Sequence, residues 1–266
     1  MKILILGRYG LVGNQMYEYF KGKYETYGTA RKNYSDYEDN NVFIFEHNEN
    51  KLEEIINKVN PDIVVNCIAI LSQSGFDLDN KIKMIYANCV LPLIINRNCK
   101  KSNIYFIHLS TDAIFKSSDN YNKLEDQISP TNFYAITKCL SEELEDNSLV
   151  IRCCPVGLNP FKTNTLLSWF LNTEQKELNG YKNAYFNGIT TLELAKQINK
   201  IILNPVYGKI QLAGPKISKY ELLLKVNDIV GLNKKINPIE EPTICKLLDT
   251  DLNLDWDIML RELFCL

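Results

Sequence analysis

Tyr134 and Lys138 stand four residues apart in the run Asn132-Phe133-Tyr134-Ala135-Ile136-Thr137-Lys138, so on a helix a phenol and an ammonium share one face. An ammonium beside a phenol favours the phenolate and draws the tyrosine pKa down from about 10, which makes the group a proton donor or acceptor near neutrality. Such pairs are common on solvated helix faces, and this one acquires meaning from two other segments. Gly7-Arg8-Tyr9-Gly10-Leu11-Val12-Gly13 has the glycine spacing that a dinucleotide fold uses for a tight turn, close backbone approach and helix packing. Ser110-Thr111-Asp112 follows an apolar run, and a Thr111 hydroxyl at a strand end is suited to hold a carbonyl oxygen while a tyrosine delivers a proton.

These groups need strands and helices to bring them together. Residues 2–6 predict a first strand, residues 11–22 a helix, Glu25 to Ala30 and Val42 to Phe45 two further strands, and Lys51 to Lys58 a helix. Ile63 to Cys67 reads as a buried strand. Lys83 to Lys101 reads as a long helix that passes Pro92 only with a kink or a restart. Ile104 to Ser110 is the next strand, Phe133 to Glu145 the helix bearing Tyr134 and Lys138, and Leu149 to Cys153 another strand. Strands alternating with helices argue for an α/β, doubly wound parallel sheet of the Rossmann type. Beyond Pro155 the alternation breaks down, with helices expected near 164–172, 191–202 and 218–230. The expected organisation is a dinucleotide-binding domain over 1–155 and a smaller substrate-binding lobe over 156–266, with a segment near 185–202 returning to the main layer.

The glycine turn lies between a strand and a helix, where backbone N–H groups and the helix dipole favour a pyrophosphate. The second strand ends Thr29-Ala30-Arg31-Lys32. A basic residue beside the adenosine ribose suits a 2′-phosphate, so Arg31 predicts NADP(H) in preference to NAD(H), with NAD(H) still open.

Composition narrows the partners. Across 266 residues, 45% are hydrophobic, 23% are charged and the net charge is −2, which provides no broad basic field for nucleic acid or an anionic membrane. The apolar runs are strand-sized, so no membrane span is expected. The chain opens directly on Met1-Lys2 and an apolar strand without a secretory signal, which predicts a cytoplasmic protein. Eight cysteines include no C-x-x-C, so neither a disulfide framework nor a metal site is expected. Of the two histidines, His47 is isolated and His108 reads as a packed or hydrogen-bonded strand residue.

The glycine turn, the strand end Asn66-Cys67-Ile68-Ala69, the segment Ser110-Thr111-Asp112-Ala113-Ile114-Phe115, the approach Tyr121 to Pro130 and Tyr134-x-x-x-Lys138 together resemble the extended short-chain dehydrogenase/reductase superfamily. The likeness within it is to the dTDP-4-dehydrorhamnose reductase group. Val150-Ile151-Arg152, Phe186 to Ala195 and Ile217 to Leu223 resemble later segments of the same group. The resemblance implies a catalytic triad on Thr111, Tyr134 and Lys138. Tyr134 would be the general acid in reduction, and Lys138 would hold the nicotinamide ribose and depress the tyrosine pKa. It also implies that Gly7, Gly10, Leu11, Val12 and Gly13 line the pyrophosphate, with Ala69 against the cofactor and Asn88 near it.

Ala113 and the run Cys153-Cys154-Pro155 stand where the group usually carries aromatics, and Ala135 where it usually has glycine. The implied substrate is therefore a 4-keto or otherwise oxidised nucleotide-sugar other than dTDP-4-dehydrorhamnose itself. The implied function is an NADPH-dependent reductase in surface-polysaccharide or deoxysugar biosynthesis, with a homodimer left open. A nucleotide-sugar epimerase or dehydratase of the same superfamily, and a non-catalytic NADP-binding regulatory subunit, stand as alternatives.

Overall fold

A computed structural model describes residues 1–32, 39–46, 48–71, 77–161 and 165–266; His47 and the serine- and glycine-containing stretch 72–76 lie outside them. Seven parallel strands form the main sheet in the order Gly208–Gln211, Ser148–Cys153, β5 (Tyr105–Thr111), β4 (Ile63–Asn66), β1 (Lys2–Leu6), β2 (Glu25–Ala30) and β3 (Val42–Ile44). The chain builds outward from β1 to β3 on one side and then crosses to β4 on the other. The carboxyl ends of β1 and β4 thus form the switch point at which such sheets receive ligands. Ile3, Leu4, Ile5, Val64 and Val65 are buried because helices cover both faces.

Helix α1 (Leu11–Lys21) buries Met16, Tyr17 and Phe20 on the sheet, and α2 (Glu49–Val59) starts where the Asn48 side chain caps Lys51 N–H and stops at left-handed Asn60. The long helix expected around Pro92 begins earlier than its pattern suggested, as α3 (Leu78–Ile85). It then widens into one π turn over Tyr86–Val90 and resumes as α4 (Leu91–Lys101). The wide turn accommodates Pro92, which has no N–H to give to the ladder.

Helix α5 (Phe133–Cys139) is shorter than the pattern over 133–145 implied. Ser141 and Glu142 N–H groups bond three residues back, to Lys138 and Cys139 carbonyls, at 3.2 and 3.1 Å. That tightening lets Glu142 turn inward toward Arg152, so a tertiary ion pair ends a helix that the residue pattern would continue.

Beyond residue 155 the chain contributes to both regions. Gly208–Gln211 completes the main sheet, and helix Thr191–Leu203 packs on α1, where the Tyr24 hydroxyl donates to Asn199 Oδ1 at 2.8 Å. A four-stranded sheet orders Ile217–Ser218, Ala184–Phe186, Ile244–Leu248 and Tyr121–Asn122, and helices Leu166–Asn172, Lys219–Val230 and Trp256–Phe264 surround it. One apolar cluster runs from Ile3 and Ile107 through Phe170 and Leu222 to Leu263. Among the described residues, no helix is long and apolar enough to cross a membrane.

Candidate active site

The turn after β1 can be built only with glycine. Gly7 has φ +82°, and a Cβ on Gly13 would lie 2.1 Å from the Gly7 carbonyl oxygen. The Gly10 N–H closes the turn on Gly7 O at 2.9 Å, while Gly10 as N-cap brings no side chain to the start of α1. The first N–H groups of α1, on Leu11, Val12 and Gly13, therefore lack intrahelical acceptors, which is the donor set that suits a pyrophosphate. The cradle is closely fitted, since a Cβ on Gly7 would meet Ile68 Cγ1 at 3.0 Å. Exposed Ala69 lies one residue further along that loop.

Arg31 is exposed at the end of β2. Arg8, to which no role was assigned from the sequence, is buried against the same strand, with its N–H on Thr29 O at 2.9 Å. Its guanidinium donates to Asn14 and Glu18, both at 2.8 Å, and lies 4.2 Å from the centre of the Tyr17 ring.

At the other side of the switch point, β5 ends at buried Thr111 and α5 begins where the Asn132 side chain caps Ala135 N–H at 2.9 Å. This brings the Tyr134 hydroxyl close to the Thr111 side chain. Thr111 Oγ1 also donates to Asp112 Oδ1 at 3.1 Å and accepts Ala113 N–H at 3.2 Å. Tyr134 is half-buried as a residue, but its hydroxyl is enclosed. Burial pushes its pKa up, opposed by the Thr111 hydrogen bond and reinforced by Asp112. The Lys138 amine itself points to β5.

Lys138 is buried, with Nζ 2.7 Å from Leu109 O and 3.1 Å from His108 Nε2. Burial lowers its pKa to about 8, against smaller opposing effects of Cys153 and Glu142. His108 is the hydrogen-bonded strand residue expected of it: Asn66 Nδ2 lies 3.1 Å from Nδ1, and Ser141 Oγ lies 3.0 Å from Nε2. Burial first, and Lys138 second, hold its pKa well below the usual 6.5. The unfolded chain binds a proton below about pH 6.5 that the native imidazole refuses, so stability falls with acidification by up to about 1.4 kcal/mol per pH unit from this group. Urea midpoints of wild type and H108Q between about pH 6.5 and 5 should diverge in slope, with wild type the steeper.

Asn88 is fully buried in the π turn and contacts protein on both sides. Its Oδ1 accepts Ile70 N–H at 2.8 Å, and its Nδ2 donates to Ile70 O at 2.9 Å and Thr137 Oγ1 at 3.1 Å. It ties the loop after β4 to the helix carrying Tyr134. Behind Thr111, Glu142 accepts Ser110 Oγ–H at 2.5 Å and Arg152 Nη2 at 2.8 Å, and both members of the ion pair are buried.

A cavity of about 520 Å³ opens beside Asp112, walled by Leu11 of the glycine turn and by Cys154, Pro155, Trp169, Tyr185, Lys219 and Lys246. Lys246 Nζ donates to Phe115 O at 2.7 Å, and burial lowers its pKa against the pull of Asp112. Neither lysine was marked by the sequence, because only folding brings residues 219 and 246 to one wall. All eight cysteines are free thiols.

The model of the RmlD substrate binding domain matches residues 1–159. Among solved structures, the dTDP-4-dehydrorhamnose reductase of Bacillus anthracis in complex with NADP superposes with a TM-score of 0.86 at 16% identity, over 99% of this chain and 98% of that one. A hypothetical dTDP-4-dehydrorhamnose reductase from Sulfolobus tokodaii gives 0.79 at 26% identity, over 97% and 98%. The Bordetella bronchiseptica enzyme WbmH in complex with NAD+ gives 0.77 at 17% identity, over 99% and 97%. The chain therefore belongs to the RmlD substrate-binding-domain family, within the dTDP-4-dehydrorhamnose reductase-like part of the extended short-chain dehydrogenase/reductase superfamily of NAD(P)-dependent oxidoreductases.

Proposed function

We propose that this chain is an NADPH-dependent reductase of a keto nucleotide-sugar, acting in surface-polysaccharide or deoxysugar biosynthesis. The observation that carries the reading is that the fold brings the Thr111 and Tyr134 side chains together at the ligand-binding edge of the sheet, between the glycine cradle and the cavity. The nicotinamide cofactor, when bound, supplies the hydride that adds to the carbonyl carbon.

The protein's part is to hold and protonate the oxygen. Thr111 orients the carbonyl, and Tyr134 transfers its hydroxyl proton to the oxygen as charge develops there. Its raised pKa keeps the hydroxyl protonated through the physiological range, which suits a donor. Lys138 supplies a second proton store one helical turn away. Gly7, Gly10, Leu11, Val12 and Gly13 hold the pyrophosphate, and Ala69 borders the cofactor. Asn88 acts through Ile70 and Thr137. In the cavity Lys219 and Lys246 are the cations available to an anionic nucleotide-sugar.

The test is a panel of nucleotide-linked 4-keto sugars assayed for NADPH oxidation, with the product's stereochemistry determined. Net oxidation with one of them is expected. Turnover without net oxidation of NADPH would instead identify an epimerase or dehydratase, and binding without turnover a regulatory subunit. Arg31→Ala is expected to lower the ratio of kcat/KM for NADPH over NADH by about tenfold through loss of a charge-assisted contact to the 2′-phosphate. An unchanged ratio would remove Arg31 from cofactor selection.

A further inference from the structure

The hydrogen bonds behind Lys138 admit one consistent placement of protons. Ile68 N–H donates to Asn66 Oδ1 at 3.1 Å, so the Asn66 amide faces His108 Nδ1 with its NH2 group at 3.1 Å. Nδ1 is then an acceptor, and the ring proton resides on Nε2. The Ser141 hydroxyl donates to Lys138 O at 2.8 Å, leaving its oxygen to accept the Nε2–H at 3.0 Å. Lys138 Nζ, 3.1 Å from the same Nε2, faces a donor there and finds its acceptor in Leu109 O at 2.7 Å.

We propose that His108 is a positioning residue for Lys138: fixed as the Nε2–H tautomer by Asn66 and Ser141, it seats the amine on Leu109 O while offering it no lone pair. The amine nitrogen is held in place without its proton count being fixed. An imidazole presenting a bare Nε2 would bind the ammonium and fix the charge. This tautomer leaves the nitrogen free to gain or lose a proton when Tyr134 changes charge. The inference rests on reading Lys138 as part of the proton-transfer site.

The surrounding groups do not replace that control. From the strand Ser148–Cys153, Cys153 is a thiol that burial pushes up to about 12, and Arg152 is held by Glu142. From the end of β4, Cys67 is likewise raised by burial, and on α5 itself Tyr134 is held protonated. Glu142 favours the ammonium electrostatically, but its oxygens are engaged by Arg152 and Ser110. Asp112 acts on Tyr134 and Cys153.

Two substitutions should move the lysine in opposite directions. In H108Q the amide oxygen can accept from Nζ, which favours the ammonium. In S141A the Nε2–H loses its hydroxyl acceptor and turns to the amine lone pair, which favours the neutral form. NMR titration of the protein carrying 13C-labelled lysine, with Lys138 assigned from the spectrum of K138R, reads this directly and needs no substrate. The Lys138 midpoint is expected to rise by roughly one pH unit in H108Q and fall by a similar amount in S141A. The basic limb of the kcat/KM pH profile should shift in the same two directions, which loss of packing alone would not produce. Midpoints that stay at the wild-type value, or that move the same way in both variants, would overturn the proposal. If H108Q does not fold, the sign of the S141A shift decides. A failed sugar panel with opposite lysine shifts would reject the substrate reading and leave the positioning role standing.

Discussion

Replacing Tyr134 with phenylalanine is expected to lower kcat by about a hundred- to ten-thousand-fold, the range associated with loss of a positioned general acid. Affinity for NADPH, read by fluorescence titration, should stay near that of wild type. The ring keeps its place on α5, capped by Asn132, and only the hydroxyl is lost. The carbonyl oxygen would then take its proton from water or from Thr111, whose own pKa is far too high for an efficient donor. The rate loss should therefore persist across pH. A variant that reduces the keto-sugar at the wild-type rate would show that the proton comes from elsewhere. Asp112 would then be the next group to test, since burial raises its pKa and it sits beside the cavity.

Glu142→Ala is expected to be the most destabilising single change near the site, at about 3–5 kcal/mol, the scale seen when one member of a buried ion pair is removed. Arg152 would keep its charge in the interior, with only its Nη1 bond to Leu124 O, 2.9 Å long, still made. Ser110 would lose its acceptor as well. The measurement is the shift in urea midpoint, checked for an unchanged slope. Glu142→Gln keeps one amide oxygen that can accept from Ser110 and Arg152 Nε, while its NH2 replaces the oxygen that accepted Arg152 Nη2, so its loss should be smaller but still measurable. Equal midpoints for wild type and E142A would mean that the pair contributes nothing net.

The parallel sheet was readable because β1, β4 and β5 are short apolar runs set off by polar turns, and parallel strands buried on both faces have that composition. Gly7, Gly10 and Gly13 were readable because a missing Cβ is a direct statement about backbone conformation and space. Thr111 and Tyr134 stood out as a strand-end hydroxyl and a helix-borne phenol, and the fold brings them into contact. The direction of Lys138 was hidden, since spacing places a Cα but does not choose between Tyr134 and Leu109 O as the partner of a long side chain. The early end of α5 was hidden for a related reason: Glu142 leaves the helix for Arg152, ten residues away in sequence and on another strand. The cavity wall beyond Cys154 and Pro155 lay furthest from view, because Trp169, Tyr185, Lys219 and Lys246 share no spacing and meet only after a second sheet has formed.

That wall also divides the chain in two. Among the described residues, all those lining the cavity apart from Leu11 and Asp112 lie at position 154 or beyond. The hydrogen bonds around Tyr134 and Lys138 come instead from Asn66, Asn88, His108, Leu109, Asn132 and Ser141, all earlier in the chain, while Asp112, bonded to Thr111, belongs to both sets. Substitutions beyond residue 153 would therefore reshape the cavity while leaving the hydrogen bonds around Tyr134 and Lys138 in place.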